Sequence, residues 1–337
     1  MPLGLLPPSE GGWEIRAWGS CQTPSESRLN GDRSKMRTSD RPLPAFRRRP
    51  ITRAMEQSGL TFRKMHGLGN DFVVVDARTR PFDPTPAQAR RLADRRVGVG
   101  CDQIITIEPP RPEHPGSTAF MGIRNADGGT VEACGNATRC VARLLMDEAG
   151  TDRVVLGTLA GPLIAERADG DSVRVDMGRA STDAAVLDLS HPCDPLHLDL
   201  RLPPFNDAVG VSVGNPHVVA LVPDAESVDL RGTGPIIEHH DLFPDRVNAE
   251  VVSVRPDGSL RMRVWERGAG ITRACGTGAC AVVVAAVIRG AIPRQPTTVM
   301  LDGGPLRIDW RAGDDHVLMT GPVATVFTGT LHESLLS

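Results

Sequence analysis

The chain has 337 residues, of which 40% are hydrophobic, and its formal net charge is −3. This length allows two domains, and no apolar run approaches the roughly 18 residues that span a bilayer, so we predict that the protein does not cross a membrane. The first 57 residues carry ten basic and six acidic side chains, whereas the remainder carries 28 and 35. An acidic body argues against a general nucleic-acid-binding protein.

Lysine is scarce and tyrosine is absent, which limits the catalytic groups that the chain can use. The only lysines are Lys35 and Lys64, and there is no tyrosine. A pyridoxal-phosphate enzyme needs a lysine for its Schiff base, and only Lys64 lies outside the basic tail. We therefore predict that any amino-acid racemisation by this chain needs no cofactor.

The seven cysteines favour reduced thiols. Their number is odd and no secretory signal precedes them, so we predict a cytoplasmic protein without a disulfide framework. Zinc is the competing interpretation. Cys134 and Cys140 are six residues apart and Cys275 and Cys280 are five apart, and neither spacing is the CxxC of a zinc site. We predict no metal.

Residues 1–58 are rich in Pro, Ser, Gly and Arg and have no hydrophobic period. Such a segment predicts a disordered N-terminal extension. Three explanations stay open: an over-extended start, since Met55 stands just before the first predicted strand, an organelle transit peptide, or a basic tail that binds nucleic acid.

Deletion of residues 1–54, so that translation starts at Met55, should leave turnover and melting temperature unchanged. The segment precedes every motif of the predicted site and has too little apolar surface to offset the entropy of ordering it. Trp13 and Trp18 are the side chains that could pack on the body. Kinetics and thermal melts of both forms test this, and a melting temperature lower by several degrees, which roughly 1 kcal/mol produces, would contradict it.

Strands and helices can be predicted in chain order for the first half. Strands are predicted at 61–65, 72–76, 103–107 and 119–124. A helix begins at Thr85, where Pro86 and Gln88 complete a capping box. A second helix runs from Cys134 to about Glu148, and Gly150 ends it.

A mixture of strands with one helix recurs after Val209. Residues 280–288 read CAVVVAAVI and are apolar on every side, so a helix there has to be enclosed by the rest of the protein. Because β-branched residues form helices poorly, a strand at 282–284 is the alternative. We predict a helix that closes at Gly290.

Two cysteines begin these helices within near-copies of one motif. Residues 133–136 read ACGN and residues 274–277 read ACGT, and each follows a glycine-containing turn. A helix start offers unpaired N–H groups and a positive field, which can lower the pKa of a thiol and hold an oxyanion. We therefore predict Cys134 and Cys275 as paired acid/base thiols, with the N–H groups of Gly135, Asn136, Gly276 and Thr277 binding the developing charge.

The repeat extends towards the N-terminus of each half. Gly-Asn precedes the first cysteine by 64 residues at Asn70 and the second by 60 at Asn215. Asn125 and Glu266 each stand nine residues before a cysteine. This order predicts a duplicated α/β unit with one site formed between its copies, which suits the transfer of a proton between the two faces of a carbon atom.

These motifs resemble the diaminopimelate epimerase family over about residues 61–332. The residues concerned are 64–72 (KMHGLGNDF), 98–103 (GVGCDQ), 125–128 (NADG), 133–136 (ACGN), 214–217 (GNPH), 266–270 (ERGAG) and 274–276 (ACG). The resemblance implies cofactor-free interconversion of LL-2,6-diaminopimelate and meso-diaminopimelate, in lysine and peptidoglycan-precursor biosynthesis. It also implies a homodimer.

The resemblance further implies an α/β fold of two pseudo-symmetric domains, each a mixed, mainly antiparallel sheet wrapped around a central helix. We expect the first domain at 59–180 plus 323–337, because the family's last strand returns to it, and the second at 181–322, with the site at their junction. His217 and Glu266 resemble the groups that exchange protons with the two thiols. The substrate contacts implied are Asn70, Gln103, Asn125, Asn215, Asn248, Glu266 and Arg267.

Four residues depart from the family's usual pattern. Ala137 replaces a glycine, and it would be strained if this position needed a positive φ but favourable inside a helix. Thr277 replaces serine and keeps the hydroxyl, Cys101 replaces an apolar residue, and Trp265 replaces tyrosine.

Two alternatives remain at this stage. A proline or hydroxyproline racemase also uses two thiols, but its small cyclic substrate would not need the distal set of Asn70, Asn215, Asn248 and Arg267. A thiol redox or binding module that joins Cys134 to Cys275 is the non-enzymatic hypothesis, which activity after reduction would exclude.

Overall fold

The computed structural model describes residues 59–337, so the predicted N-terminal extension lies outside the described residues. The helices are α1 (Pro86–Ala93), α2 (Gly135–Ala149), α3 (Leu230–Glu238) and α4 (Gly276–Ile288). The strands are β1 (Leu60–Gly67), β2 (Asn70–Asp76), β3 (Gln103–Glu108), β4 (Ala119–Asn125), β5 (Arg153–Thr158), β6 (Gly161–Arg167), β7 (Ser172–Arg179), β8 (Val209–Ser212), β9 (Pro216–Leu221), β10 (Asn248–Val254), β11 (Leu260–Glu266), β12 (Gly270–Ile271), β13 (Thr297–Leu301), β14 (Gly304–Trp310), β15 (His316–Pro322) and β16 (Ala324–Leu331). None of the helices in the described part is long and apolar enough to cross a membrane.

The strands form one continuous, mainly antiparallel sheet that encloses two helices. Its order is β16-β1-β2-β3-β4-β5-β6-β7-β15-β14-β13-β11-β10-β9-β8, with β12 beside β11. Helix α2 packs against β1, β2, β5, β6, β7 and β15, and α4 packs against β8 to β11 and β13 to β15. The predicted α/β fold class is therefore confirmed. The last strand, β16, pairs with β1, as the resemblance implied. The predicted domain boundary stays a prediction, because the described residues 59–337 belong to one compact unit.

The sequence repeat corresponds to a repeated arrangement of strands. In the first copy β2 and β3 are parallel, β3 and β4 are antiparallel, and α2 follows. In the second copy β9 and β10 are parallel, β10 and β11 are antiparallel, and α4 follows. Gly69 and Gly214, which precede the two asparagines, have nearly equal positive φ angles of 87° and 88°. The predicted duplicated unit is therefore present in the fold.

Both central helices begin one residue after their cysteine. Cys134 and Cys275 are the N-cap residues and have extended backbone, as N-caps require. Gly150, at φ 63°, is the left-handed C-cap of α2. Helix α4 is almost wholly buried, which compensates for its β-branched residues and settles residues 282–284 as helix. The capping box of Thr85 and Gln88 on α1 is also confirmed.

Substitution of Ala137 by glycine should lower the free energy of unfolding by about 1 kcal/mol. Ala137 lies inside α2, is fully buried, and is absent from the positive-φ residues of the described chain, so alanine is favourable there. Urea denaturation of both proteins measures the difference. Greater stability of the glycine variant would show that the methyl group is strained.

Candidate active site

The two N-cap thiols lie where the helix starts point N–H groups at sulfur. The N–H of Gly278 donates to Cys275 Sγ at 3.3 Å, and the Thr277 hydroxyl lies 3.6 Å from the same atom. The N–H groups of Ala137 and Asn136 lower the pKa of Cys134. Cys275 is 5% exposed and Cys134 is half-buried. Each helix start therefore supports a negative charge on its own cysteine.

Asn136 joins the two helix starts. Its Nδ2 donates to the Ala274 carbonyl at 3.2 Å and to Asn70 Oδ1 at 3.1 Å. The Cys134 thiol lies 3.9 Å from the same Asn70 oxygen. The second residue after Cys134 thus contacts the residue immediately before Cys275, so Cys134 and Cys275 belong to one junction.

Burial nevertheless favours the protonated form of both thiols. It raises the pKa of Cys134 to about 11, and Glu266 raises it further. Burial also raises the pKa of Cys275 well above its usual value, and the carboxylates of Glu266 and Glu250 add to this effect. The expected lowering by the helix N-termini is real but smaller than the desolvation of the thiolate. A thiolate therefore needs a nearby group to receive its proton.

Glu266 can receive that proton. Burial raises the pKa of its carboxyl to about 7, against the opposing effect of the hydroxyl that Thr272 donates to it. The charge of Glu266 raises the pKa of both cysteines, so this carboxyl group lies near both thiols. A carboxyl that is partly ionised near neutral pH suits proton exchange in either direction.

His217 is the second titratable group of the predicted site and is fully buried. Its Nδ1 lies 2.6 Å from Glu250 Oε1, and its Nε2 lies 3.0 Å from Asn215 Oδ1. The sequence-based prediction missed Glu250. The available signal was a glutamate inside the apolar run of β10, where an unpaired carboxylate would be costly.

The predicted substrate contacts occupy equivalent places in the two copies. Gln103 faces Asn125 across β3 and β4, and their side chains bond at 2.9 Å. In the second copy Asn248 begins β10 beside His217, donates to the Pro216 carbonyl at 2.8 Å, and accepts from the N–H of Arg267.

The guanidinium of Arg267 is exposed and bonds only a backbone carbonyl, that of Asp245, in the described structure. It can therefore form a bidentate pair with a carboxylate.

Arg139 is a second residue that the sequence did not single out as functional. Its side chain is fully buried, and its Nη2 donates to Asn136 Oδ1 at 2.9 Å. No carboxylate pairs with it among the described residues, and its Nε has no partner there. Its charge lies near the sulfurs of Cys134, Cys140 and Cys280. Arg139 therefore holds the asparagine that joins the two helices and supplies positive charge beneath Cys134.

Glycine at both helix starts permits close approach to Met319. A Cβ built on Gly135 would lie 2.6 Å from Met319 Cε, and one on Gly276 would lie 2.9 Å from its Sδ. Both distances are below any real contact of this kind. The two predicted oxyanion-binding turns therefore pack against one methionine of β15.

The departures from the usual family residues are accommodated. Trp265 donates from Nε1 to Glu238 at 2.7 Å. Cys101 is buried in the apolar cluster around α1, and burial raises the pKa of its thiol to about 12. Its role is that of the apolar residue it replaces.

A cleft of about 400 Å³ on the outer face of β3 and β4 contains none of the predicted site residues. Its arginines, Arg78, Arg111 and Arg124, are all paired with carboxylates. This cleft offers no free charge to a ligand. Within residues 59–337 no three His, Cys, Asp or Glu side chains gather in a metal-binding arrangement.

Comparison with known proteins decides the family. The diaminopimelate epimerase family matches residues 62–182 and 209–326, one segment in each copy of the repeat. The chain belongs to the diaminopimelate epimerase family. Family membership confirms the resemblance and the predicted class of enzyme, an amino-acid epimerase.

Curated diaminopimelate epimerases are similar over nearly their whole length. The chain is 56% identical over 276 residues to that of Rhodospirillum centenum, covering 82% of this chain and 93% of the other. It is 50% identical over 277 residues to that of Phenylobacterium zucineum, covering 81% and 98%. A probable proline racemase from Agrobacterium radiobacter has a similar structure, with a TM-score of 0.59 at 17% identity, covering 81% of this chain and 93% of that chain. At this identity, the similarity shows the fold alone.

Proposed function

We propose that this chain interconverts LL-2,6-diaminopimelate and meso-diaminopimelate with two cysteine thiols and no cofactor. The observation that carries the proposal is the junction itself. Cys134 and Cys275 cap two helices that Asn136 joins, and Glu266 acts on both thiols. The names of relatives about half identical to this chain support the choice of substrate.

In the proposed reaction one thiol first passes its proton to Glu266 or His217. The resulting thiolate removes the proton from Cα on one face of the substrate, and the opposite thiol gives its own proton to the other face. The first cysteine ends as a thiol and the second as a thiolate, so protons balance. Proton exchange with Glu266 or His217 then restores the starting state.

The carbanion between these steps places charge on the carboxylate next to Cα. The first N–H groups of a helix have no partner within it. Those of Gly135, Asn136, Gly276 and Thr277 therefore supply donors to this carboxylate, and each donor is worth about 3 kcal/mol in a site without water.

Diaminopimelate has a distal amino group and a distal carboxylate, which proline lacks, and these groups distinguish the two candidate substrates. Asn70, Asn215 and Asn248 offer both donors and acceptors, and Arg267 offers a bidentate partner for the distal carboxylate. Gln103 and Asn125 are the remaining polar side chains proposed to contact the substrate. A small cyclic amino acid would leave these groups unused.

The deciding experiment incubates the reduced protein with LL-diaminopimelate in D2O, and with L-proline in parallel. We expect meso-diaminopimelate to form with deuterium at the inverted carbon, and proline to remain unchanged. Turnover of proline alone would establish the racemase alternative. No turnover of either substrate by reduced protein would leave the redox or binding module.

We further propose that the chain is a cytoplasmic homodimer that acts in lysine and peptidoglycan-precursor biosynthesis and binds neither membrane nor nucleic acid. The six described cysteines are all free thiols, which supports a reducing compartment. In the described sheet β16 has a neighbour on one side only, and its Val326 and Phe327 are 56% and 47% exposed. An open apolar edge of this kind favours pairing with a second copy. Sedimentation equilibrium should therefore give a molar mass twice that of one chain.

A further inference from the structure

Glu250 is a fully buried carboxylate in the second copy of the repeat. It lies on β10 between Val219 of β9 and Val264 of β11. Its Oε1 bonds His217, and its Oε2 has no partner within the described structure. A buried carboxylate costs several kcal/mol unless its partners compensate, so stability alone does not account for it.

The strand register fixes the pair of Glu250 and His217. His217 is opposite Asn248 on the parallel strands β9 and β10, and Glu250 is two residues beyond Asn248. Side chains two residues apart on a strand share a face. The imidazole and the carboxylate are therefore held on neighbouring strands rather than on loops.

The two ring nitrogens of His217 face different surroundings. Nδ1 lies 2.6 Å from the carboxylate of Glu250, which is buried and accepts hydrogen bonds. Nε2 lies 3.0 Å from Asn215, a predicted substrate contact. An acceptor at Nδ1 keeps a proton there. The amide oxygen of Asn215 also accepts, so Nε2 donates to it whenever Nε2 carries a proton, and Nε2 is the nitrogen whose proton can be exchanged with the site.

Glu250 also lies next to Cys275. A Cβ built on Gly278 would lie 2.7 Å from Glu250 Oε1 and 3.2 Å from Cys275 Sγ. The titratable groups around Glu250 are therefore His217 from β9, Glu266 from β11 and Cys275 from α4. Its negative charge raises the pKa of both Glu266 and Cys275.

We propose that Glu250 is a positioning residue that holds the imidazole of His217 with Nδ1 protonated, so that proton exchange in the site takes place at Nε2. The inference rests on the proposed two-thiol epimerisation, because that reaction gives His217 its task. Glu250 itself touches neither substrate nor reacting atom in this assignment.

The test compares Glu250→Gln, Glu250→Asp, His217→Asn and the double variant Glu250→Gln/His217→Asn. Glutamine keeps the shape of the side chain and removes its charge. We expect Glu250→Gln to lower kcat roughly ten- to a hundredfold with little change in KM, since a positioned acid/base group contributes about 10²–10⁴-fold. Glu250→Asp, which keeps the charge, should recover part of this loss.

The double variant distinguishes positioning from a separate role. If Glu250 acts through His217, Glu250→Gln should cost nothing further in the His217→Asn background. Multiplying losses would overturn the proposal, as would wild-type kcat in Glu250→Gln. Glu226→Gln, which removes the same charge at a position 60% exposed, is the control and should keep wild-type kinetics.

Two measurements need no turnover. The Nδ1 proton of His217 should appear far downfield in the proton NMR spectrum, move upfield in Glu250→Gln and vanish in His217→Asn. Alkylation of Cys275 by iodoacetamide at a fixed pH should be faster in Glu250→Gln. If the wild type fails to epimerise diaminopimelate, the proposed function fails, and these signals still decide the role of Glu250. An unchanged NMR signal in Glu250→Gln would overturn it.

Discussion

Replacement of Cys134 or Cys275 by alanine should abolish epimerisation and leave the fold intact. Each thiol is the acid/base group for one face of Cα in the proposed reaction, and such a group contributes about 10²–10⁴-fold. Inversion needs both faces, so a single loss should reduce it by at least that factor. The rate of meso-diaminopimelate formation from the LL isomer measures the effect.

Deuterium exchange sharpens this prediction. The thiol that remains can remove and return a proton on its own face, which exchanges Hα without inversion. Residual exchange in Cys134→Ala and Cys275→Ala should therefore be confined to opposite configurations at the reacting carbon. Cys193→Ala removes a half-buried thiol outside the site and should behave as wild type. Full inversion by either folded site variant would contradict the two-thiol mechanism.

The Glu266→Gln variant should lose epimerase activity. At alkaline pH it should also be more stable to unfolding than the wild type. Burial raises the pKa of Glu266 from 4.5 to about 7, so between these values the folded protein binds more protons than the unfolded chain. Stability therefore falls as pH rises through this window, by about 3 kcal/mol in total, less what partial contact with solvent recovers. Glutamine has no charge to desolvate and escapes this loss.

Urea denaturation at pH 4.5 and pH 8 measures the effect. The variant and the wild type should be nearly equal at pH 4.5, and the variant should be more stable at pH 8. Glu238→Gln is a control of opposite sign. The pKa of Glu238 is lowered, since the Trp265 indole and the Gly268 N–H outweigh its burial, so its removal should destabilise at pH 8. Equal stability of Glu266→Gln and wild type at both pH values would show that Glu266 is not desolvated.

Local signals in the sequence predicted the elements that carry the site. The capping box at Thr85 and the glycine at Gly150 depend on a few neighbouring residues, and both were confirmed. The repeated Cys-Gly motif identified two helix starts because an N-cap is a local feature. The repeated order of Gly-Asn and cysteine likewise identified the duplicated unit.

The residues that the sequence did not reveal are those that parts of the chain distant in sequence bury. Glu250 and Arg139 resemble an ordinary strand glutamate and an ordinary helix arginine until the fold buries them. The pKa of each thiol depends on how much protein surrounds the sulfur, and burial outweighs the helix start. Only the packing of the folded protein determines these pKa values, so motif spacing and composition cannot predict them.

The charges beside the two thiols differ, and this asymmetry gives the free enzyme two unequal forms. Glu266 acts on both thiols, but Cys134 also has the guanidinium of Arg139 as a neighbour, whereas Cys275 also faces the carboxylate of Glu250. A thiolate at Cys134 is therefore lower in free energy than one at Cys275. In the proposed reaction each turnover exchanges the two forms, so one direction releases product from the unfavoured form. That form has to isomerise through Glu266 or His217 before the next turnover, which makes a step of the empty enzyme part of its kinetics.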